Sequence, residues 1–532
     1  MKRAGLLAIM MAGLLLAHAA ASLSPVNKTV KLTSTNLPIV WLTVDGTVNH
    51  DERITARMKI IDNGEGHLNY TDTVAHPGQH IDYEGYVGLR YRGHSSYTFS
   101  VKKPYSFRPL NRPLEEGGSW QKVSILGMPR DNTWALLAPF NDKSMIRDML
   151  AYEISRPWME FTPSGRYCEV VYNGIYYGVF VLAEVVSKGK YRLGLDDPGE
   201  EGDELTGGYL MEVERDDEVT YLSKYWPLYS DGSIVEGTRR ICFKYKSPEY
   251  EDMTEVQLDY IHNAIDEMEA AVASLRYRDA QTGECRYIDE MSFIDYQLAT
   301  ELGHNGDGYR LSGKFYKRRD SQDPRFKMVL WDMNLAYGNA NYYDAWRTDT
   351  WVYQMNDILG PAGARELVPF WWYKFNSDQT YVAHLKERWA QYRRSNLRMD
   401  RLMATVDSLA TLLTSRGAER RNSRAYPYWG VYVWPNYFVA SDFSEELAYL
   451  KQWLMARIVW MDAQLGFVPD SPPGDVNGDG EATISDINTL IDVVLGGVAT
   501  EAVLSRADID GDGEVTVADV NALVDILLGL GA

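Results

Sequence analysis

Two short segments in the second half of this 532-residue chain carry acidic and amide side chains suited to phosphate chemistry. The first contains Asn305 and Asp307, and the second contains Asp332 and Asn334. Two carboxylates and an amide that converge in a cleft can hold Mg²⁺, which takes one or two carboxylates together with substrate phosphates. They can also orient or deprotonate an attacking hydroxyl. The alternative is that the first segment is only a turn and that Asp332 caps a strand.

The residues between these segments predict how the two aspartates come together. Residues 314–318 and 326–331 are strand-like, and residues 319–324 are typical of a hairpin loop. A hairpin brings its two ends together, so Asp332 should lie near the residues that precede the first strand. The sequence therefore predicts that Asp307 and Asn305 lie close to Asp332, although 25 positions separate the two aspartates.

A third segment, in the front half of the chain, could surround phosphate oxygens. Arg92, Gly93 and Ser96 form a turn of small residues, and a strand is predicted at residues 97–101, just before Lys102 and Lys103. The backbone N–H groups of such a turn and one ammonium can bind a phosphate. Because side chains alternate along a strand, only one of the two lysines should face the cleft.

A twelve-residue acidic loop occurs twice near the carboxyl end, 33 positions apart. Oxygen-bearing side chains at positions 1, 3, 5 and 12, a glycine at position 6 and a backbone carbonyl at position 7 are what Ca²⁺ requires from one loop, and position 9 reaches the ion directly or through water. The sequence therefore predicts two Ca²⁺ ions. An acidic turn without metal is disfavoured, because so many like charges would repel one another. The predicted ligands are Asp475, Asn477, Asp479, Glu481, Thr483 and Asp486 in the first copy, and Asp508, Asp510, Asp512, Glu514, Thr516 and Asp519 in the second.

Residues 474–532 as a whole resemble a type I dockerin. Position 12 of each loop is Asp where an EF-hand normally has Glu, and one helix is predicted after each loop, at residues 487–495 and 520–528. The resemblance implies a small all-α domain that folds on Ca²⁺ and docks to a cohesin-type scaffold. Residues 467–473 contain three prolines, which predicts a linker before this domain.

Residues 22–466 form a body with a strand-rich front and a helical rear. After residue 251, apolar residues recur three or four positions apart, which predicts helices, and Asn173-Gly174 predicts a tight hairpin turn. The predicted fold class is therefore α+β with a cleft between the two halves. Glu184, at the end of an apolar strand, is either a rim residue or the partner of a buried cation. The predicted strands are residues 37–44, 54–61, 86–91, 97–101, 105–107, 168–172 and 175–182, with a helix at 143–154.

The body resembles the spore coat protein H (CotH) kinase family. The run ILGMPRDNTWALLAPFNDKSMIR at residues 125–147 carries the resemblance, and further stretches extend it over about residues 37–465. These stretches are Arg92-Gly93 with Ser96, and residues 102–105, 178–184, 207–212, 301–317 and 331–339. The resemblance implies an atypical, kinase-like fold and a secreted protein kinase that uses ATP and Mg²⁺ or Mn²⁺ and acts on Ser or Thr of a protein phosphoacceptor.

The same resemblance assigns roles to single residues. It implies that Lys103 holds the ATP phosphates, with Lys102 as the competing choice, and that Glu184 pairs with this lysine. Arg92 belongs to the same cofactor-binding group. Asp307 would be the catalytic carboxylate with Asn305 beside it, and Asp332 would bind the metal with Asn334. The family's acidic-x-acidic pattern has lost one charge at Asn334, so a pseudokinase is the alternative to an active enzyme.

The amino end and the charge distribution predict an exported protein. Residues 1–21 have the order of a signal peptide, with Lys2 and Arg3 before an apolar run and small residues. The net charge is −20, and residues 474–532 hold twelve acidic residues against Arg506 alone. This balance disfavours nucleic acids and anionic membrane surfaces as partners. We expect an extracellular, cell-surface or periplasmic location, with no membrane span in the mature chain.

Two other function classes compete with the kinase hypothesis. Aromatic residues are dense at 346–372 and 426–437, so the body could instead be a non-catalytic adhesin or carbohydrate-binding protein of the same fold. A glycosidase would need two carboxylates at a set separation. No residue pair favours that interpretation over phosphate chemistry.

Overall fold

The computed structural model describes residues 25–215, 221–237, 240–468, 472 and 474–528. The predicted signal peptide, residues 1–21, lies outside the described residues, as do residues 469–471 and 473 of the predicted linker. The described residues divide into two units. The first contains the residues up to Val382 together with Val406–Arg457, and the second contains Ala383–Thr405 together with the residues from Ile458 onwards.

Strands dominate the front half of the first unit, as predicted. Neighbouring strands β2, β3 and β5 below pair antiparallel, and their alternate residues point into a common core. The strands of the described residues are β1 (Ser34–Thr35), β2 (Ile39–Val44), β3 (Ile54–Ile61), β4 (Asn69–Tyr70), β5 (Ile81–Tyr91), β6 (Tyr105–Leu110), β7 (Val123–Ile125), β8 (Met128–Asp131), β9 (Trp134–Leu137), β10 (Gly165–Tyr172), β11 (Ile175–Glu184), β12 (Tyr209–Glu214), β13 (Tyr221–Leu222), β14 (Cys242–Ser247), β15 (Gly313–Lys317) and β16 (Phe326–Val329).

Seven of these strands close into a barrel with the order β10-β11-β9-β6-β5-β3-β2. Closure is completed by the parallel pairing of β10 with β2. The interior is filled by apolar side chains that include Leu42, Met58, Phe107 and Phe180. The predicted hairpin turn is confirmed, because Tyr172 pairs with Ile175 across Asn173-Gly174 and both turn residues have positive φ.

A second, five-stranded antiparallel sheet has the order β13-β14-β12-β15-β16. Its last two strands form the predicted hairpin, in which Lys314 lies opposite Val329 and Lys317 lies opposite Phe326. The second strand ends at Val329, two residues earlier than predicted. The hairpin ends therefore meet where Ser312 and Asp332 leave the sheet. Two further pairs, β1 with β4 and β7 with β8, form small separate sheets.

Helices dominate the rear of the chain, so the strand-rich front and helical rear of the prediction are confirmed. The predicted stripe from Leu258 to Leu275 is buried between Ile261 and Val272 on one face of α4 below, which Thr254 caps. Leu258 is half-buried, and Leu275 lies beyond the helix and is 40% exposed. The helices of the described residues are α1 (Ser95–Phe99), α2 (Arg147–Ser155), α3 (Gly202–Leu205), α4 (Glu255–Ala273), α5 (Glu290–Gly303), α6 (Asn356–Leu359), α7 (Phe370–Ser377), α8 (Gln379–Arg393), α9 (Met399–Thr414), α10 (Ala418–Ala425), α11 (Phe443–Leu465), α12 (Ile484–Val494), α13 (Glu501–Ala507) and α14 (Val517–Leu527).

The strand predicted at residues 97–101 is wrong, because this segment forms the short helix α1. Gly93, with a φ of 79°, turns the chain out of β5, and the N–H of Thr98 donates to the carbonyl of His94 at 2.9 Å. Phe99 is 37% exposed and so does not occupy a strand core position. Lys102 and Lys103 therefore lie in a loop, where strand alternation does not apply.

The second unit contains the predicted dockerin-like domain. Val476, Leu490, Ala507 and Leu523 form its small core, and α12 packs against α14. Both helices begin three residues earlier than predicted, because Thr483 and Thr516 cap them. Within the part of the chain that the structure describes, no helix combines the length and apolar character needed to cross a bilayer.

Candidate active site and calcium loops

A cleft of about 290 Å³ in the first unit collects residues from distant parts of the sequence. The barrel supplies the turn after β5 and the end of β9, helix α2 supplies one wall, and the five-stranded sheet supplies β12, β14 and β15. The loops before β15 and after β16 close the remaining side. The charged residues that line the cleft are Arg92, Asp148, Glu212, Glu214, Arg215, Lys246, Asp307, Lys314 and Asp332.

Asp307 and Asp332 line this same cleft, as the hairpin reasoning predicts. Asn305 joins the two segments, since its amide nitrogen donates to the carbonyl of Asp332 at 3.0 Å and its amide oxygen accepts from the N–H of Asp307 at 3.2 Å. Ser312 Oγ lies 3.5 Å from Asp332 Oδ2. Asn305 itself is buried and does not line the cleft, whereas Asn334 does. Asn305 therefore positions the two aspartates, and the chemical roles of all these residues stay predictions.

Asp332 has a conformation that is unusual for a residue other than glycine. Its φ is +64°, in the left-handed region that costs an ordinary residue about 1 kcal/mol. The side chain is open to the cleft, but the protein around it displaces bulk water and raises its pKa, an effect that Arg92 opposes and Asp307 strengthens. Strained residues of this kind are concentrated at functional sites.

Both carboxylate oxygens of Asp307 have a hydrogen-bond donor. Arg310 donates to Oδ1 at 2.8 Å, and the hydroxyl of Tyr342 donates to Oδ2 at 3.0 Å. Each carboxylate oxygen can accept more than one hydrogen bond, so these contacts fix the orientation and leave acceptor capacity. Asp307 can therefore accept a proton from a hydroxyl in the cleft.

The cleft also contains cations that could face phosphate oxygens. The Arg92 guanidinium lies 4.9 Å from the centre of the Trp331 ring, and its NH1 is a buried donor that has no hydrogen-bond partner among the described residues. Lys314 pairs with Glu212, and Lys246 Nζ lies 3.2 Å from Glu212 Oε2. Burial raises the pKa of Glu212, but the two ammonium groups outweigh this and hold it below its usual value. An unsatisfied guanidinium beside carboxylates fits an anionic ligand accompanied by a cation.

Asp148 is a further acidic residue of the cleft that the sequence reasoning missed. Its Oδ1 accepts from the N–H of Met333 at 2.7 Å, next to Asp332. Burial and the charge of Asp332 raise the pKa of Asp148 to about 8. Asp148 and Tyr152 lie four positions apart on α2 and both line the cleft, a spacing visible in the sequence once the helix is known.

The predicted pairing of Lys103 with Glu184 is wrong. Lys103 Nζ donates to the carbonyl of Tyr97 in its own loop, and Glu184 lies 3.8 Å from Arg192 instead. Among the described residues neither Lys103 nor Glu184 lines the cleft. The cause is the α1 turn, which places Lys103 away from the strand position on which the prediction depended.

Lys102, the competing choice, also lies outside the cleft lining. Its Nζ donates to Asn422 Oδ1 at 3.0 Å and to the carbonyl of Val179, and it lies 4.7 Å from the centre of the Phe180 ring. Burial lowers the pKa of Lys102 to about 7. Lys102 is therefore a structural residue, and Arg92, Arg215, Lys246 and Lys314 supply the cations of the cleft.

A larger cavity, of about 770 Å³, shares Lys246 and Lys314 with the cleft. The other walls of this cavity come mainly from the β8–β9 turn, from the segment after β11 and from residues 247–249. The combined space is large enough for an organic ligand of nucleotide size. The two lysines stand where such a ligand would pass from one cavity into the other.

The two acidic loops of the second unit fold alike and gather carboxylates. One ligand atom from each of Asp475, Asp479 and Asp486, at positions 1, 5 and 12, lies within 4.8 Å of the others. Asp508, Asp510 and Asp519, at positions 1, 3 and 12, form a second group of this kind. In each loop, position 12 is buried and accepts hydrogen bonds from backbone N–H groups of its own loop.

The donor set of these loops fits a hard cation. Asp508 Oδ1 is buried and has no hydrogen-bond partner among the described residues. Asn477 and Asp512 hydrogen-bond within their loops, and Glu481 and Glu514 supply position 7. The hydroxyls of Thr483 and Thr516 accept from N–H groups of the helices that follow, so these residues also act as helix caps. Acidic clusters of this kind are consistent with Ca²⁺ binding.

The aromatic residues that favoured a carbohydrate-binding alternative are divided between the core and the surface. Trp371, Trp372, Tyr426 and Tyr428 are each 1% exposed. The ring of Trp346 stacks on Tyr437, with centroids 5.0 Å apart. Tyr437 is 49% exposed, and five further aromatic residues of these segments are half-buried, namely Trp351, Tyr353, Trp429, Tyr432 and Trp434.

Comparison with protein-family models gives two matches. A model described as CotH kinase protein matches residues 89–461, and a model described as Dockerin type I domain matches residues 473–528. Both predicted resemblances are therefore confirmed. No curated protein matches the chain.

Proposed function

The chain belongs to the CotH kinase protein family and carries a type I dockerin domain, and on this basis we propose that it is a secreted protein kinase. It transfers the γ-phosphate of ATP to Ser or Thr of extracellular or surface proteins. The observation that carries the proposal is the cleft in which Asp307 and Asp332 stand together with the unsatisfied guanidinium of Arg92.

Each group of the cleft has a part in this reaction. Arg92, Lys246 and Lys314 would hold phosphate oxygens, and Asp332, Asn334 and Asp148 would supply oxygen ligands to Mg²⁺ or Mn²⁺. A bound metal supplies neutralisation of the charge that develops on the phosphates.

Asp307 accepts the proton of the acceptor hydroxyl as its oxygen bonds to the γ-phosphorus and ADP departs. Arg310 and Tyr342 hold the Asp307 carboxylate in place for this transfer.

A pseudokinase is the second candidate, because Asn334 stands where the family pattern has an acid. An amide oxygen can still coordinate Mg²⁺, as the catalytic-loop Asn of ordinary protein kinases does. Nucleotide-dependent thermal stabilisation without phosphate transfer would identify a pseudokinase. Stabilisation by oligosaccharides and not by nucleotide would identify the carbohydrate-binding alternative.

The transfer itself is tested with the signal-free chain, γ-labelled ATP, Mn²⁺ and a mixed protein acceptor. We expect labelling by the native chain and at least a hundredfold loss in Asp307→Asn and in Asp332→Asn. Asp45→Asn, at an exposed acid outside the cleft, is the matched control and should retain full activity. Equal labelling by all four proteins would refute the assignment.

The dockerin domain implies a cohesin-type partner and gives the kinase a calcium-dependent tether. We propose that residues 1–21 direct export, that residues 22–466 form the kinase body and that residues 467–473 link it to residues 474–532. Retention of the chain on an immobilised cohesin in Ca²⁺, and its release by a chelator, would support this arrangement. Retention that is indifferent to Ca²⁺ would oppose it.

A further inference from the structure

A smaller cavity of about 160 Å³ adjoins the candidate cleft and is lined by four arginines. We name it the arginine pocket, and its arginines are Arg215, Arg240, Arg310 and Arg365. Glu214 and Arg215 border both the pocket and the cleft. Four arginines against Glu214 and Glu366, with Asp307 paired to Arg310, leave a formal surplus of one positive charge, in a chain whose net charge is −20. The pocket is therefore a cationic site in an acidic protein.

Arg310 connects the arginine pocket to the candidate catalytic carboxylate. The same guanidinium that lines the pocket donates to Asp307 Oδ1 at 2.8 Å and, through Nε, to the carbonyl of Gly306 at 2.8 Å. Arg310 is buried, so its position is fixed. A group bound in the pocket would consequently lie close to a hydroxyl that reacts at Asp307.

Two of the four arginines are available for a ligand. Arg215 is held by Glu214 at 3.5 Å and by Glu366 at 3.7 Å. The side chains of Arg240 and Arg365 form no hydrogen bond or ion pair with any other described residue. Guanidinium groups bind carboxylates and phosphates through paired N–H donors, so these two are placed to receive an anionic side chain.

The walls of the arginine pocket strengthen such an interaction. Val213, Ile241 and Leu367 line the pocket beside the arginines. Apolar walls reduce the local dielectric and make a charge-assisted hydrogen bond stronger than at an open surface. The pocket shares no lining residue with the larger cavity behind Lys246 and Lys314. This separation favours the acceptor protein over the nucleotide as the occupant.

We propose that the arginine pocket binds an acidic side chain of the phosphoacceptor, so that the kinase selects Ser or Thr with a carboxylate or phosphate group nearby in the acceptor sequence. This proposal rests on the proposed kinase function and specifies its substrate class. Arg240 and Arg365 are the residues that recognise the anion, and Arg310 holds the pocket next to Asp307.

Binding is tested without nucleotide, so that the result does not depend on catalysis. Fluorescent peptides in which Ala replaces the acceptor Ser, flanked by Glu, phosphoserine, Lys or Ala, are titrated with the full chain in Ca²⁺ and followed by anisotropy. We expect the Glu or phosphoserine peptides to bind about tenfold more tightly than the Lys peptide, and the double variant Arg240→Ala/Arg365→Ala to remove the difference. Arg416→Ala, at an exposed arginine outside both cavities, is the control. If the Glu peptide binds more tightly, the preferred anion is a carboxylate, and if the phosphoserine peptide binds more tightly, it is a phosphate.

Kinetics with the matching Ser peptides provide the second arm. We expect kcat/KM for the acidic peptides to fall about tenfold in the double variant, with the KM for ATP unchanged. Arg365→Glu should move the preference toward the Lys peptide. Because Arg365 is exposed, this substitution should leave the fold intact, so a changed preference would not result from misfolding.

Several results separate this proposal from the kinase assignment. Equal binding of the four peptides, or a change in ATP affinity in place of peptide affinity, would overturn the arginine-pocket proposal. Selective binding of acidic peptides without any phosphate transfer would uphold the pocket and refute the kinase assignment.

Discussion

Replacing Asp148 by Asn should stabilise the body of the protein increasingly as the pH rises. Burial and the charge of Asp332 give this carboxyl a folded pKa of about 8, against an ordinary value of 3.8. The folded state therefore binds the proton more tightly than the unfolded state. The stability that this proton contributes is present at low pH and is lost as the pH rises from about 4 to about 8.

The size of the effect follows from the distance between the two pKa values. Each unit of difference between the folded and unfolded pKa values corresponds to about 1.4 kcal/mol, so a completely buried Asp148 would lower the free energy of unfolding by roughly 5 kcal/mol by pH 8. Asp148 is half-buried and the water of the cleft reaches it. Because solvent screens the charge of a half-buried group, we expect the free energy of unfolding to fall by about 2–3 kcal/mol.

The assay is chemical unfolding of the body followed by Trp fluorescence at pH 5, 6, 7 and 8, in constant Ca²⁺ and without Mg²⁺ or Mn²⁺. The amide of the Asp148→Asn variant does not titrate, so the difference in unfolding free energy between the two chains reports the titration of Asp148 plus a constant offset. We expect the native chain to lose stability relative to the variant across this range, while Asp45→Asn follows the native chain. A difference that stays constant with pH, or one of opposite slope, would refute the reasoning.

Three further predictions concern other parts of the chain. Lys103→Ala should change the KM for ATP less than twofold, whereas Arg92→Ala should raise it at least tenfold. Steady-state kinetics on both variants measure these KM values. A larger increase in Lys103→Ala than in Arg92→Ala would restore the assignment of Lys103 to the ATP phosphates. Asn305→Ala removes the hydrogen-bond partners of the Asp332 carbonyl and the Asp307 N–H and should cost about 2–4 kcal/mol of stability. Denaturant unfolding measures this cost. A cost below about 1 kcal/mol would contradict the positioning role of Asn305. Asp486→Ala should weaken Ca²⁺ binding by the first loop at least tenfold, as measured by calorimetry. Asp492→Ala, at an exposed acid of the same domain, is the control and should bind Ca²⁺ like the native chain. Equal Ca²⁺ affinities of the two variants would contradict the assignment of Asp486 as a ligand.

The calcium loops and the hairpin could be predicted from the sequence because each depends on residues close together in the chain. The loop spacing fixes its ligands within twelve positions, and the β15–β16 pairing brings Asp332 back to the segment before Gly313. Local patterns of this kind need no knowledge of the distant fold.

The remaining groups of the cleft depend on contacts between distant elements. Glu212, Lys246 and Lys314 meet because β12 pairs with both β14 and β15, and no sequence period indicates that order. Asp148 reaches the cleft because α2 packs beside the loop after β16. The error at residues 97–101 has a local cause, since aromatic and β-branched residues favoured a strand where the Gly93 turn begins a short helix.

Counting bound Mn²⁺ can decide whether Asp307 and Asp332 flank one metal–nucleotide site. Electron paramagnetic resonance measures Mn²⁺ bound to the full chain in the presence of ATP, with the dockerin loops kept saturated with Ca²⁺. We predict one nucleotide-dependent Mn²⁺ in the native chain, its loss in Asp332→Asn, and its retention without phosphate transfer in Asp307→Asn. Nucleotide-dependent Mn²⁺ binding that survives Asp332→Asn unchanged would contradict this arrangement.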